Sequence, residues 1–376
     1  MRECYKPHDE VSNAFLVLIV FACLAAPVAC RAPEASSLDT AATAYVRLAG
    51  GSERHDEEYR QGLASLHADV AALEERDGRR AFLLAQLAAL ARRARFANGE
   101  RVSIRAEAAA LGLDVPTFDA SRAADLRARL DEALPGSKPL AERLAAYHRA
   151  HVVPRAQLDA TARRLVADCR ARTEMPADLR DGGVELRYVL EQPWPAFTRY
   201  RGKGSSVVDV RRDVAWAEED LQQVLCHETY PGHHVQHLVW AGLHETRGWP
   251  ELTVMPMHTP HALMAERAAV TATALLWPQE EQPAVQAVLT AFAPLAASVA
   301  VDVVDGAVER VTGLGRLREE LLMPNAEEFV AFVERYRSMS LAYVTPAPDI
   351  HDWQSYLALL RSPARLVAGA DEDSGR

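Results

Sequence analysis

A short segment rich in histidine is the part of this chain best suited to chemistry. Residues 227–234 read HETYPGHH, and seven of the 13 histidines lie between positions 227 and 261. Neutral imidazole is the commonest metal ligand in proteins. A glutamate directly after a zinc-binding histidine can act as the general base on a zinc-activated water. The segment therefore predicts a metal site with His227 as a ligand and Glu228 as the base.

The spacing of the histidines requires an irregular backbone. In the pattern His-Glu-x-x-His the second histidine lies four residues after the first, and here that position is Pro231. On an ideal helix His233 lies about 240° round from His227, and His234 lies about 10 Å farther along the axis. Neither could reach a shared ion. Because Pro231 breaks a helix and Gly232 tolerates unusual dihedrals, we expect a distortion at 231–232.

The motif HETYPGHHVQ resembles the His-Glu-x-x-Pro-Gly-His signature of the DUF885 family, which is grouped with the zincin-like metallopeptidases. The resemblance extends over about residues 205–270. It implies that His227 and His233 bind one Zn²⁺ per chain and that Glu228 is the catalytic base. It also implies a glutamate ligand on a following helix, for which Glu266 is the best match, although arginine follows it where the family has glycine.

Other histidines remain open candidates. His234 is an alternative to His233, since the residues alone do not decide which of the pair turns towards His227. Either of His258 and His261 could line the cleft or replace a ligand. Two further histidines are predicted to lie on a helix surface: His237 and His244.

The remaining roles in the site also have several candidates. Two imidazoles and one carboxylate leave a position for water, which is the arrangement of a catalytic zinc site. Glu245 and Glu251 compete with Glu266 for the carboxylate role. Tyr343 is the predicted stabiliser of the oxyanion, a role that sites of this class often give to tyrosine, histidine or arginine. Other candidates for it are Tyr336 and His351.

The elements around the motif are mainly helical. Apolar residues recur every three or four positions from about Thr40 to Met175. Strand-like alternation follows at 184–190, 196–200 and 206–210, and the last of these could offer an edge to an extended peptide. A helix is expected to run from near Val214 into His227. The predicted fold class is mainly α with a small β-sheet (α+β), with a zincin-like architecture and a helical N-terminal lobe.

The N-terminus predicts export. Residues 14–26 form an uncharged apolar block, and Cys30 follows small residues. Residues 1–30 are therefore predicted to be a signal peptide or a membrane or lipid anchor, with lipidation at Cys30 as one possibility. The expected location is the periplasm or cell envelope. Residues 31–40 form a linker, 41–370 a single catalytic domain (41–180 a helical lobe, 181–370 the metal-site region), and 371–376 a disordered tail.

Cysteines and charge narrow the function further. Outside the N-terminal segment only Cys169 and Cys226 remain, enough for one bridge, and Cys226 is expected to be a small buried residue behind the helix. A net charge of −10 argues against nucleic acid as a partner. No nucleophilic-serine, phosphate-loop or dinucleotide motif is present.

The prediction is a zinc-dependent hydrolase, a metallopeptidase acting on peptide substrates, with a possible membrane tether through the N-terminus. One alternative is an amidase or esterase acting on non-peptide substrates. The other is a non-catalytic binding module with a degenerate zincin fold. The sequence does not indicate an oligomeric state.

Overall fold

The first part of the described chain consists of helices. The structure, a computed structural model, describes residues 37–278 and 281–367, so the predicted N-terminal segment 1–30 and the tail 371–376 lie outside the described residues. Helix α1 begins at Leu38, inside the segment assigned above to a linker. The helices are α1 (Leu38–Gly50), α2 (Glu57–Ala71), α3 (Arg79–Ala97), α4 (Ile104–Ala109), α5 (Ala120–Ala133), α6 (Leu140–His151) and α7 (Leu158–Arg172).

The second part contains the sheet and the helices that carry the histidines. It comprises β1 (Gly183–Val189), β2 (Ala196–Gly202), β3 (Ser205–Arg211), α8 (Glu218–Glu228), α9 (His233–Arg247), α10 (Pro260–Leu276), α11 (Ala284–Val304), α12 (Arg310–Gly315), α13 (Ala326–Tyr336) and α14 (Trp353–Leu360). Short 3-10 segments lie at Arg155–Gln157, Pro250–Thr253, Arg337–Tyr343 and Arg365–Val367, and a π-helical turn at Arg316–Glu320. The predicted class, mainly α with a small sheet, is confirmed.

Local sequence accounts for where several helices begin. Ser37, Asp56, Ser103, Asp119 and Thr259 each precede a helix and accept a hydrogen bond from a backbone N–H of its first turn. Such caps satisfy donors that have no partner within the helix, and each contributes about 1 kcal/mol. Helix α8 begins at Glu218, later than predicted, with Leu221 and Leu225 fully buried.

The sheet has the order β1-β3-β2, with β1 parallel and β2 antiparallel to β3. The three strands lie where the alternation predicted them. The suggestion that Ser206–Val210 offers a free edge is wrong, because these residues belong to the central strand and are buried. Strand β2 is an edge strand instead, and it packs against both α8 and α9. This arrangement brings a sheet edge next to the histidine segment.

Three apolar clusters meet around α8, α9 and α10. Helices α1–α3 pack with α9 and α14 in the first cluster, α5, α11 and α13 form the second, and the sheet packs on α7 and α8 in the third. Helix α10 contributes Ala262 and Leu263 to the second cluster, and Met264, Ala265 and Ala268 to the first. Because α10 is packed on both sides, its intervening side chains are held at fixed positions.

One helix of the described chain, α11, is long and apolar enough to cross a membrane by length and composition alone. Most of it is buried within the fold: Leu295, Ala296, Val299 and Ala300 are almost fully covered. An all-round apolar helix is also typical of the centre of a large soluble domain. We therefore describe α11 as a core helix.

Cys169 on α7 and Cys226 on α8 form a disulfide. The expectation that Cys226 is buried is confirmed, and the one bridge that the two cysteines allow is present. The Cys226 sulfur is bonded to Cys169 and also accepts a hydrogen bond from the Trp277 indole N–H. A thiolate ligand at this position is thereby excluded. The bridge ties the end of α8, where His227 lies, to the N-terminal helices.

We expect loss of this bridge to destabilise the fold. Replacing Cys169 and Cys226 by alanine should lower the free energy of unfolding by about 2–4 kcal/mol, because the bridge closes a long loop and restricts the unfolded chain. The cysteines are 57 residues apart. Urea unfolding of the double variant and the wild type measures the difference. A reductant should lower the wild type to the level of the variant and leave the variant unchanged; equal stability without reductant would contradict the expectation.

Candidate metal centre

The histidine segment is divided between two helices. Helix α8 ends at Glu228 and α9 begins at His233, so residues 229–232 form a turn, which contains a cis Tyr230–Pro231 peptide bond. The backbone N–H of Gly232 donates to the carbonyl of Cys226, 3.2 Å away. A Cβ at Gly232 would overlap the carbonyl group of His227. The predicted distortion at 231–232 is confirmed, and it is a complete break.

Side chains from α7–β1 and from α14 hold this turn in place. The Tyr230 hydroxyl donates to Asp181 at 2.9 Å, and the Tyr356 hydroxyl donates to the carbonyl of Pro231 at 2.6 Å. Both tyrosines are almost fully buried. Buried hydrogen bonds of this kind satisfy polar groups of the turn that water cannot reach.

The break brings His227, His233 and Glu266 together. Ligand atoms of the three side chains all lie within 4.8 Å of one another. The Glu266 carboxylate is 3.0 Å from Nε2 of His227 and 3.5 Å from Nε2 of His233. All three side chains are largely buried, and they line one large cavity. This is the ligand set that the motif and the resemblance predicted.

The electrostatics of the cluster couple the three residues. Burial alone would lower the pKa of His233, but the charges of Glu266 and Glu228 outweigh burial and raise it to about 9. Burial alone would raise the pKa of Glu266, but the charge of His233 and hydrogen bonds from both histidines lower it. The Glu266 carboxylate therefore stays ionised. Its negative charge stabilises either a protonated imidazole or a metal ion next to it.

Gln236 orients one of the histidines. Its side-chain oxygen lies 2.9 Å from Nδ1 of His233, and its amide nitrogen donates to the carbonyl of Ala265 at 2.8 Å. With Nδ1–H donating to Gln236, Nε2 of His233 faces Glu266, where it carries a proton or, once that proton is displaced, can bind a metal ion. Partners of this kind set the tautomer of metal-binding histidines. Sequence reasoning missed Gln236, although its position three residues after His233 on a helix could have indicated it.

Glu228 lies at the end of α8 with only 8% of its surface exposed, and it lines the same cavity. It is outside the set of three ligands. The Thr198 hydroxyl of β2 is 2.6 Å from its carboxylate and 2.7 Å from its carbonyl, and donates to one at a time. Thr198 thus positions the carboxylate. No pattern in the sequence could have indicated this contact, because the two residues are 30 positions apart.

Tyr343, at the end of the 3-10 segment Arg337–Tyr343, also lies at the cluster. Its ring centroid is 5.9 Å from that of His227, and it lines the cavity with about half of its surface exposed. Desolvation of the phenol raises the pKa of Tyr343, and the charges of Glu266 and Glu228 raise it further. The phenol therefore stays protonated and can donate a hydrogen bond.

The structure excludes His234 from the cluster, so this alternative is wrong. Its Nδ1 lies 2.8 Å from the Ser206 hydroxyl and its Nε2 lies 3.2 Å from Asp181. Both ring nitrogens are therefore engaged elsewhere. The residue types match a serine-hydrolase triad. However, Ser206 and His234 are buried. Neither residue lines the large cavity or the smaller cavity beside α3, so a substrate cannot reach them.

The other candidate histidines fall into three environments. His261 is fully buried and contacts the rings of Phe82 and Trp240. It belongs neither to the cluster nor to the lining of the large cavity. His244 is exposed, as predicted. His237 was predicted to be exposed, which is wrong: it lines the large cavity, and burial together with the neighbouring histidines lowers its pKa to about 3. It is therefore a neutral ring in the cavity wall.

The structure also places the other acids and the other candidates for the oxyanion role. Glu251 is fully buried in an ion pair with Arg79, and Glu245 is exposed. Tyr336 lines the cavity, whereas the side chain of His351 is 76% exposed. The remaining histidine candidate, His258, lines a separate cavity.

Arg267, which occupies the position where the resemblance implies glycine, anchors a neighbouring loop. Its guanidinium donates to the carbonyls of Thr345 and Pro346 at 3.0 and 2.7 Å. The side chain thus holds the segment that follows Tyr343. Arginine at this position leaves Glu266 free to join the cluster.

The large cavity has a volume of about 1530 Å³ and a mixed lining. The lining includes apolar side chains, among them Met255, Met257, Phe329 and Phe332. It also includes acids: Glu218, Glu219, Asp220 and Glu281. Residues 196–198 of β2 form another part of the wall. Ligand cavities are commonly about 300–1,000 Å³. This cavity therefore has room for a substrate larger than a single amino acid.

The donor set fits a catalytic zinc ion. Two imidazole nitrogens and one carboxylate converge, and they face a cavity rather than a closed core. Structural zinc sites have four protein ligands, whereas catalytic sites have three and an open position. The three side chains that would hold the ion are His227, His233 and Glu266.

Comparison with known proteins gives a likeness of fold. No family model matches the chain, and no curated protein matches it. A solved structure described as "the putative lipoprotein from Colwellia psychrerythraea" is similar, with a TM-score of 0.51 and 13% identity, over 89% of this chain and 70% of that one. At this identity the likeness concerns the fold alone.

Metal binding should depend on the three clustered side chains and only weakly on His234. We expect His233→Ala to weaken Zn²⁺ binding by more than the roughly 10–100-fold typical of losing an outer partner, and Gln236→Ala to fall within that range. His234→Ala should weaken Zn²⁺ binding much less than His233→Ala, because it removes no ligand and acts only through the contacts of His234 with Ser206 and Asp181. Equilibrium dialysis followed by elemental analysis measures the affinities, and circular dichroism checks the fold. A larger effect at His234 than at His233 would contradict the assignment.

Gly232→Ala should disrupt the turn and the site together. The added Cβ overlaps the carbonyl of His227, so the turn must shift, with an expected loss of about 4 kcal/mol or more in stability and loss of Zn²⁺ binding. Gly242→Ala on α9 is the matched control. A Cβ there meets nothing within 4 Å, and alanine favours the helix by about 1 kcal/mol. Unfolding curves and Zn²⁺ titration of both variants test this; equal behaviour would contradict it.

Proposed function

We propose that this chain is a zinc-dependent hydrolase, a metallopeptidase that cleaves peptide bonds with water as the nucleophile. The resemblance of HETYPGHHVQ to the DUF885 signature supports membership of that family and a zincin-like architecture. The observation that carries the proposal is the convergence of His227, His233 and Glu266 within 4.8 Å beside Glu228, at the wall of a large cavity.

Each residue of the site has a distinct role in this proposal. A zinc ion held by the three ligands supplies Lewis acidity, which acidifies water and polarises a carbonyl group. Glu228, held by Thr198, accepts a proton from the attacking water and passes it to the leaving amine. Tyr343 donates a hydrogen bond to the oxygen on which negative charge develops. Its raised pKa keeps the proton in place for this role.

The edge strand β2 favours a peptide over a small ester or amide. Among the described residues β2 pairs only with β3, so one side of its backbone has no strand partner. Residues Ala196, Phe197 and Thr198 line the cavity next to Glu228. An extended peptide can add to such an edge through main-chain hydrogen bonds. This addition would place a peptide bond of the substrate beside the base.

Export to the cell envelope is supported by two observations besides the N-terminal pattern. The Cys169–Cys226 disulfide is typical of proteins that fold in oxidising compartments. The structural neighbour from Colwellia psychrerythraea is itself described as a "putative lipoprotein". We propose that the chain is exported and tethered or released at its N-terminus, with lipidation at Cys30 as the specific form of tether.

Glu228→Gln should abolish hydrolysis and leave the metal in place. Amide cannot accept the proton, so we expect kcat/KM to fall by a factor of about 10²–10⁴. Zinc content should stay near one per chain, because Glu228 is outside the ligand set. Glu245→Gln, which changes an exposed glutamate of α9, is the matched control and should retain full activity. Activity of Glu228→Gln within a factor of two of the wild type would overturn the mechanism.

Each of the two alternatives predicts its own result, one in a substrate assay and one in a measurement of metal content and stability. A library of peptides is tested beside N-acyl amides and esters with the zinc-loaded protein. Turnover of non-peptides alone would identify an amidase or esterase. Absence of bound transition metal, with stability unchanged by a chelator, would identify a non-catalytic binding module.

A further inference from the structure

A second cavity, separate from the metal centre, is lined by basic side chains. It has a volume of about 220 Å³ and lies between α3, α4 and the starts of α10 and the Arg337–Tyr343 segment. None of its lining residues lines the large cavity. The basic residues of the lining are Arg92, Arg93, Arg337, His55 and His258. Glu107 is the single acid of the lining, in a protein whose net charge is −10.

Two of the three arginines are already paired. Arg93 donates to Glu53 at 2.8 Å and to the carbonyl of Met257. Arg337 donates to Glu107 at 2.7 Å and to the carbonyl of Val102. These bonds fix the two guanidinium groups at the cavity wall. Their charges are largely balanced by the carboxylates that they contact.

Arg92 is the exception. Its guanidinium forms no hydrogen bond or ion pair with any described residue, although the side chain is partly buried. Burial lowers its pKa, and the charge of Glu107 does not fully offset this effect. An arginine keeps its charge in proteins and carries five N–H donors. The Arg92 nitrogens are not among the buried side-chain atoms without a partner, so they remain open to solvent and available to a bound anion.

Two histidines add further unsatisfied groups. Nδ1 of His55 and Nδ1 of His258 are buried without a hydrogen-bond partner. The nearest acid oxygen to Nδ1 of His258 is on Glu107, 3.6 Å away. The Glu107 carboxylate therefore accepts a hydrogen bond from Arg337, lies close to His258 and interacts electrostatically with Arg92. The lining therefore holds three arginines and two histidines against a single carboxylate.

The size and the remaining lining define the kind of ligand. A volume of about 220 Å³ corresponds to roughly seven water molecules at about 30 Å³ each. Phe96 and Leu111 cover one side with apolar surface. A planar guanidinium fork binds oxygen pairs of carboxylates and phosphates in a bidentate manner. A small oxyanion fits these requirements.

The cavity also adjoins two segments that form the wall of the metal-centre cavity. His258 follows Met257, and Arg337 begins the 3-10 segment that ends at Tyr343. Both His258 (φ 64°) and Arg337 (φ 49°) adopt left-handed backbone conformations. An anion held between them would connect the two wall segments.

We propose that this cavity is a binding site for a small oxyanion, phosphate or a short carboxylic acid, with Arg92 as its principal ligand. The site is independent of the proposed hydrolysis. Binding of the anion stabilises the folded state, because the unfolded chain has no such site.

Isothermal titration calorimetry with inorganic phosphate and, in a second arm, with butyrate tests this proposal on the full zinc-loaded protein at fixed ionic strength. At least one anion should bind with a stoichiometry of one. Arg92→Gln should weaken that binding at least about tenfold, as expected for loss of a charge-assisted hydrogen bond. Arg129→Gln is the matched control: it removes one exposed positive charge on α5 and should bind as the wild type does.

Thermal unfolding gives a second measurement. The same anion should raise the Tm of the wild type and of Arg129→Gln, but not that of Arg92→Gln, while the three proteins without anion should unfold at similar temperatures. Tighter binding of phosphate or of butyrate identifies the class of oxyanion. Binding that is equal in Arg92→Gln and the wild type, including binding at the metal centre, or no binding of either anion, would overturn the proposal.

Discussion

The candidate metal centre depends on the close approach of Gly232 to the backbone of His227. Only a residue without a Cβ can lie against that carbonyl group, because any side chain would overlap it. This contact ends α8 at Glu228 and starts α9 at His233, so the second imidazole returns to the side of the first. On a continuous helix the two imidazoles would point in different directions round the helix axis and would lie more than one turn apart along it, so they could not share an ion.

The turn is maintained by buried hydrogen bonds rather than by its own helix contacts. Asp181 accepts from the hydroxyl of Tyr230, pairs with His234 and forms an ion pair with Arg170. Burial alone would raise the pKa of Asp181, but the hydrogen bonds from His234, the Gly183 N–H and Tyr230 lower it. Adjacent histidines therefore have different tasks: His233 faces the cavity, and His234 fastens α9 to β3 through Ser206.

Packing of distant elements completes the site. Helix α10 is fixed by two apolar clusters, which places Glu266 against both histidines. Strand β2 brings Thr198 to Glu228, and the disulfide at Cys226 holds the end of α8. The lining of the cavity that results includes residues of the edge strand, the glutamate that we propose as the base and the three side chains that we propose as metal ligands. This combination is what makes hydrolysis of an extended peptide the function that we propose.

The sequence by itself determined the helical texture, the three strands, the break at Pro231–Gly232 and the small set of candidates to which the three clustered side chains belong. These features depend on local periodicity, on backbone restrictions of proline and glycine, and on a motif. Only the tertiary structure decided that His234 faces away, that His237 lines a cavity and that Cys226 is bridged. It also decided that β3 is the central strand and that Arg92 has no hydrogen-bond or ion-pair partner among the described residues. Each of these outcomes depends on contacts between residues far apart in the chain, about which local patterns carry no information.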